Sequence, residues 1–185
     1  MKRICVIGLG DMGSGLAKNL IKAGFDVAGF DLSPDRLAAF EAMGGRPAAS
    51  VAQAGDGAEA AFVMVMNGDQ AKAVILGADG LAAHMAPGGS VLLTATIRPR
   101  EAVEIGNAMD GTGIHLIDTP VSGGFPGAQG GTLTMMASAP DAIIAQVRPA
   151  MEAVSATIHH IGTEPGMGQT VKACLQTLIG SIFSA

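Results

Sequence analysis

The sequence predicts an α/β fold: a doubly wound, mainly parallel sheet with helices on both faces. Three observations carry this. Short apolar, β-branched runs of strand length alternate along the chain with longer segments whose apolar residues recur at helical spacing. The composition suits a sheet buried on both sides: 49% of the 185 residues are apolar and only 15% are charged. There are 27 glycines, about double the usual share, which fits many tight turns. The order strand, helix, strand holds from the first residues onward, and within one sheet that order requires right-handed crossovers.

The first strand is RICVI, residues 3–7, and it runs into Gly8-Leu9-Gly10-Asp11-Met12-Gly13. This is G-x-G-x-x-G. The period then changes: Met12, Leu16, Ala17, Leu20 and Ile21 lie at helical spacing and Gly24 stops the helix. A second strand over 26–30 closes with Asp31. Ser33 and Pro34 are an N-cap and first residue for a helix reaching about Met43, and Ser50 caps a short helix ending near Gly55. Residues 61–66 (AFVMVM) are the next strand, and Asn67 caps the helix 70–76. A short helix with His84, a strand over 90–94, a helix over 99–109 and a strand over 114–118 follow. The glycine pair 130–131 leads into a strand over 132–137 in a hairpin-like or edge arrangement. A helix over 140–153 and a last strand over 157–161 come next. His159 and His160 on that strand point to opposite faces and cannot act as a pair; each reads as a surface or satisfied edge histidine. After a loop, 170–185 is a long helix with an apolar stripe of Val171, Leu175, Leu178, Ile179, Ile182 and Phe183.

The first glycine motif has specific physics. Gly8 permits the strand-to-helix turn, Gly10 lets backbone approach a pyrophosphate without a Cβ in the way, and Gly13 lets helix and strand pack closely. The free N–H groups at the helix start then receive phosphates, with Leu9, Asp11 and Met12 completing the turn. Asp31 stands where an acid bonds the adenine ribose hydroxyls and repels a 2′-phosphate, so the expected cofactor is NAD, with NADP disfavoured. Arg36 follows, separated from the strand end by the start of a helix. The fold is therefore read as Rossmann-like.

Other classes are excluded by composition. A net charge of −5 without a Lys/Arg cluster argues against nucleic acid as a partner. No apolar run is long and unbroken enough to span a membrane, and the N-terminus passes directly into the first strand without a signal-peptide pattern. The expected location is the cytoplasm. Cys5 and Cys174 have no metal-binding spacing and read as reduced, buried thiols; no metal site is expected.

Ligands of such sheets bind beyond the carboxyl ends of the strands. Besides the first motif and Asp31, the residues there are Met66 and Asn67, Thr96, and the loop from Thr119 to Gly124. That loop offers a serine hydroxyl and glycine N–H groups to a carboxylate. Lys172 and Gln176, four apart, share a face of the last helix beside its apolar stripe. On residue pattern alone such a lysine is a solvated residue.

Three motifs in one order then resemble the β-hydroxyacid dehydrogenase family: GLGDMGSGLAKNL at 8–20, DTPVSGG at 118–124 and GMGQTVK at 166–172. The resemblance runs through the whole chain. It implies an oxidoreductase transferring a hydride between NAD and a small 3-hydroxy acid of the 3-hydroxyisobutyrate, tartronate semialdehyde/glycerate or threonate type. It implies Lys172 as the catalytic lysine exchanging a proton with the substrate hydroxyl, and Ser122, Gly123 and Gly124 as the clamp on the substrate carboxylate. Thr96 falls near the nicotinamide end, with Met66 and Asn67 as further cofactor-binding positions. The family's helix motif is K-x-x-N-N or K-x-x-N-Q. Here Leu175 stands where an amide is usual, while Gln176 keeps an amide that could bond the substrate. MMASA at 135–139 is similar to the branch acting on threonate.

Family members continue into an all-helical domain that covers the cleft. The expected organisation is therefore a dinucleotide-binding domain over 1–162, and a linker with the first part of an interdomain helix over 163–185, in an N-terminal piece of a longer protein. The apolar stripe of that helix is expected to pack against a second copy, making a homo-oligomer, or against the rest of a longer chain. The alternative function is a dinucleotide-binding module that senses or scaffolds without turnover, or an inactive fragment of the enzyme.

Overall fold

The computed structural model describes residues 1–184. Among them, in chain order, are β1 (Arg3–Ile7), α1 (Asp11–Lys22), β2 (Asp26–Phe30), α2 (Pro34–Ala42), β3 (Arg46–Pro47), α3 (Val51–Gly55), β4 (Ala60–Val63), α4 (Gly68–Leu76) and α5 (Leu81–His84). The second half holds β5 (Ser90–Leu93), α6 (Pro99–Met109), β6 (His115–Asp118), β7 (Val121–Ser122), α7 (Gly124–Gly130), β8 (Leu133–Ser138), α8 (Asp141–Val154), β9 (Ser155–Gly162) and α9 (Met167–Ser184).

The strands form one sheet in the order β3-β2-β1-β4-β5-β6-β8-β7, with β9 also on β8. From β3 to β6 every pairing is parallel, as the alternation with helices predicts. Strand side chains point alternately to opposite faces, and the two cores follow that period. Ile4 and Val6 pack on one face with Leu16, Leu20, Phe40 and Met151 from α1, α2 and α8. Cys5 and Ile7 pack on the other with Ala54, Ile75, Leu81 and Ile105 from α3 to α6. The helices thus cover both faces, and the expected fold class is the observed one.

Beyond β6 the parallel pattern ends. β8 runs antiparallel to β6 and β7 and parallel to β9. Met135 pairs with Val121 on one side and Ile158 on the other, so β8 is interior and β9 takes the edge. The glycine pair before β8 does not make a hairpin: a helix, α7, joins it to β7.

Helix α7 and strand β7 replace the expected loop. The glycine and proline content of 123–131 disfavours a helix locally, and packing on α1 overrides it. A Cβ on Gly15 would lie 2.6 Å from the Ala128 carbonyl carbon, so only glycine lets the two helices approach so closely. Asn19 Nδ2 donates to Ala128 O at 2.8 Å, holding a carbonyl at the end of α7, and Gly131 ends it in a left-handed conformation.

Two boundaries move by three residues, and one short strand is added. β4 stops at Val63 rather than Met66, because both neighbours end there: β1 turns away at Gly8, and β5 ends at Leu93, the partner of Val63. β3, of two residues, carries no pattern in the sequence, and α9 begins at Met167 rather than Thr170. Ser33, Ser50 and Asn67 cap α2, α3 and α4 as expected, each side chain accepting a backbone N–H.

Candidate functional site

At the carboxyl end of β1 the glycines meet tight limits. Gly8 has φ +91°, and a Cβ there would lie 2.2 Å from Met64 O. A Cβ on Gly13 would lie 1.7 Å from Gly8 O, which fixes the start of α1 against the turn. Gly10 differs. The three atoms nearest its missing Cβ belong to the Arg36 guanidinium at 3.7–3.8 Å, a side chain more than half exposed and able to move. No side chain caps α1, so the N–H groups of its first turn, from Asp11, Met12 and Gly13, stay available at the positive end of the helix dipole. This cradle fits a pyrophosphate.

Asp31 lies beside it with its side chain only 8% exposed. One oxygen accepts the Leu9 N–H at 2.7 Å and the other the Ser33 N–H at 2.9 Å. Both oxygens are held by backbone, one N–H on each. Arg36, expected to be separated from the strand end, reaches back from the first turn of α2 and stands 3.4 Å from both oxygens. The helix start that was to hold it away aims it at the acid. Leu32, next to Asp31, is 88% exposed.

Further along the strand ends, Met66, Asn67, Thr96, Ile97 and Ala173 line one groove of about 470 Å³. Met66 is largely exposed and Thr96 exposed. Asn67 has a second task, since its Oδ1 accepts the Gln70 N–H and caps α4. The presence of Ala173 brings the start of α9 to the residues expected at the nicotinamide end.

Groups outside the expected site residues dock the start of α9. Asp118, the last residue of β6, is fully buried, and its Oδ2 accepts the N–H of Gly166 at 2.9 Å and of Gln169 at 3.1 Å. Burial pushes its carboxyl above the ordinary value, against the lowering effect of these backbone donors. Gly168 packs so closely that a Cβ would lie 2.3 Å from Met136 O. Gly166 has φ +91°. The glycines of the third motif are therefore docking residues, and Asp118 in the second motif is their acceptor.

Lys172, one turn on, is only 6% exposed and makes no ion pair or side-chain hydrogen bond among the described residues. Burial lowers its pKa. It is not the solvated lysine that pattern alone suggests, because the docked helix start carries it inward. Gln176 does not follow it: that side chain is exposed, and no hydrogen bond joins it to Lys172. Ser122 is half-buried in β7 and Gly123 and Gly124, both at positive φ, lead into α7. Cys5 is buried as expected, but Cys174 is exposed, since it lies on the outer side of α9. His160 is a satisfied edge histidine, its Nε2 2.8 Å from Ala139 O and its Nδ1 3.1 Å from Asp141. Among the described residues no His/Cys/Asp/Glu group could hold a metal ion, and no helix is long and apolar enough to cross a membrane.

Residues 3–162 match the family model described as the NAD binding domain of 6-phosphogluconate dehydrogenase. The chain is 38% identical over 184 residues to an L-threonate dehydrogenase of Cupriavidus necator, covering all of this chain and 62% of that protein. It is 39% identical over 183 residues to an NAD-dependent L-serine dehydrogenase of Pseudomonas aeruginosa, covering 99% of this chain and 61% of that one. A crystal structure of 3-hydroxyisobutyrate dehydrogenase from Salmonella typhimurium superimposes with a TM-score of 0.92 at 35% identity, over 97% of this chain and 63% of the other. The chain thus spans about three-fifths of the length of these relatives. On the fold, the cradle and this family match, the chain belongs to the β-hydroxyacid dehydrogenases and carries their NAD-binding domain.

Proposed function

We propose that this domain serves hydride transfer between NAD and a small 3-hydroxy acid, with Lys172 as the proton-exchanging group. The observation that carries the reading is a buried, unpaired lysine one turn into a helix whose next residue lines the same groove as Thr96. NAD would be held by the Gly8–Gly13 turn, by Asp31 at the adenine ribose and by Met66, Asn67 and Thr96 toward the nicotinamide, and would supply the hydride acceptor. NAD is favoured over NADP because the Asp31 carboxylate, held by two backbone N–H groups, would repel a 2′-phosphate bound at the adenine ribose.

Lys172 takes up the proton of the substrate hydroxyl as a neutral amine and returns it in the reverse direction. Its burial favours that neutral form nearer physiological pH than for a solvated lysine. Ser122, with the N–H groups of Gly123 and Gly124, would receive the substrate carboxylate, and the exposed amide of Gln176 would bond the substrate from α9. Similarity to threonate dehydrogenases, together with MMASA at 135–139, makes threonate the first substrate to test. The apolar side chains of Leu178, Ile182 and Phe183, each more than half exposed, are where a second copy or a following helical segment would pack. Residues 163–185 are accordingly read as a link out of the dinucleotide domain.

The test is a panel of L-threonate, L-serine, 3-hydroxyisobutyrate and glycerate with NAD or NADP, followed by NADH or NADPH absorbance, beside cofactor binding measured by calorimetry. NADH formed with one acid, abolished in Lys172→Ala, supports the reading. NAD binding with no turnover, in this chain and in any longer form containing it, would leave the dinucleotide-binding module instead.

A further inference from the structure

The Gln169 side chain is 1% exposed and has both ends of its amide engaged across the domain. Its Oε1 accepts the Ile97 N–H at 3.0 Å, and its Nε2 donates to Ala95 O at 2.9 Å. These partners flank Thr96 and lie 72 and 74 residues away in the chain. A glutamine in the first turn of a helix ordinarily reaches back to the N-cap N–H. Here that donor, Gly166 N, is taken by Asp118, as is Gln169's own N–H. The amide is thereby released to reach across to the strand-end loop. Buried amides with both ends paired are rigid links, because breaking either bond leaves an unsatisfied polar atom.

We propose that Gln169 is a positioning residue: its amide fixes the register between the loop carrying Thr96 and the helix carrying Lys172, so that the two move as one unit. This rests on the reading of Thr96 and Lys172 as parts of one site. The two residues come from segments far apart in sequence, and the groove lining joins Thr96, Ile97 and Ala173 at one surface. An apolar residue of the same size could fill the space at 169, but it could not present an acceptor to Ile97 and a donor to Ala95 at once.

That requirement defines the test. A neutral carboxyl at 169 can accept from Ile97 N–H and donate to Ala95 O, whereas a carboxylate has no donor and would also face the Asp118 carboxylate. Lys172 is the other titratable neighbour on α9. Amide hydrogen exchange at Ile97 and the NMR titration of the Lys172 side chain are measured in this chain, in Gln169→Ala and in Gln169→Glu. In Gln169→Ala, Ile97 exchange is expected to accelerate about tenfold or more, reporting local opening. The Lys172 midpoint is expected to rise toward that of a free lysine. In Gln169→Glu, Ile97 protection and the Lys172 cross-peak position should be near wild type at acid pH and depart from it as the carboxyl ionises.

Faster Ile97 exchange with an unmoved Lys172 midpoint would overturn the inference, since the link would then be local. So would a Gln169→Glu protein whose Ile97 and Lys172 signals do not change together with pH. If Gln169→Ala does not fold, the Gln169→Glu series decides the matter within one molecule. NAD binding by the unmodified chain is measured alongside. Binding with no Ile97–Lys172 coupling removes only this inference, and coupling with no NAD binding removes only the cofactor reading.

Discussion

Asp118 accepts the backbone N–H of Gln169 at 3.1 Å, and with it the N–H of Gly166, so an acid at the end of β6 caps a helix that begins 49 positions later in the chain. The cap residue of α9 thus lies outside the helix and its flanks. The cap is also buried, which couples its protonation to stability.

Asp118→Ala is expected to leave the Gly166 and Gln169 N–H groups buried without an acceptor, at about 1–3 kcal/mol each. For a domain of this size each kcal/mol lowers the melting temperature by about 2–4 °C. Asp118→Asn keeps an acceptor and should fall well short of that loss. The folded-state pKa of Asp118 is raised by burial. Its contribution is therefore present at low pH and lost as pH rises through the raised value. Urea denaturation across pH should show Asp118→Asn gaining on the wild type over that window.

Lys172→Ala should remove turnover, by about 10²–10⁴ in rate as for general acid–base groups, with NAD affinity nearly unchanged. Steady-state kinetics beside calorimetry checks both halves.

The same lysine has an opposite effect on stability. Its folded-state pKa is lowered, so stability is lost as pH falls through that value. Lys172→Met keeps the apolar stem and removes the charge. It should unfold at higher temperature than the wild type at neutral pH, and the advantage should shrink as pH rises toward that of a free lysine. An advantage that does not depend on pH would contradict this account.

Asp31→Ser should weaken NAD binding by about tenfold or more, given about 1.5–3 kcal/mol for a hydrogen bond to a charged group. It should narrow the preference over NADP. Calorimetric titration with both nucleotides reads this directly, and tighter binding of NADP than NAD by the unmodified chain would refute the preference.

Gly15→Ala tests the tertiary origin of α7. The new methyl would meet the Ala128 carbonyl at about van der Waals overlap, 2.6 Å from its carbon, and separate α1 from α7. Overpacking of this kind costs about 1–3 kcal/mol, and hydrogen exchange over 124–130 should rise more than over α1.

Much of the molecule was legible in the chain. The short apolar, β-branched strands and the caps at Ser33, Ser50 and Asn67 depend on neighbours within a few residues, where local sterics and hydrogen bonding decide, and the glycine turn answered by Asp31 is legible as a motif. The parallel order from β3 to β6 followed from strand–helix alternation alone. The burial of Lys172 did not: a lysine in the first turns of an apolar helix looks the same in sequence whether the helix start is docked or free.

What the sequence by itself determined is the set of elements, the faces they bury and the Gly8–Gly13 cradle with its acid. The tertiary structure alone decided three things: the α7 helix, the exposure of Gln176 and Cys174, and the dock of α9 on Asp118, Ala95 and Ile97. Each of these rests on a partner far along the chain or on the direction in which a helix face is turned. The free energy of such a contact belongs to a pair of segments brought together by the sheet, and neither segment carries its signal alone.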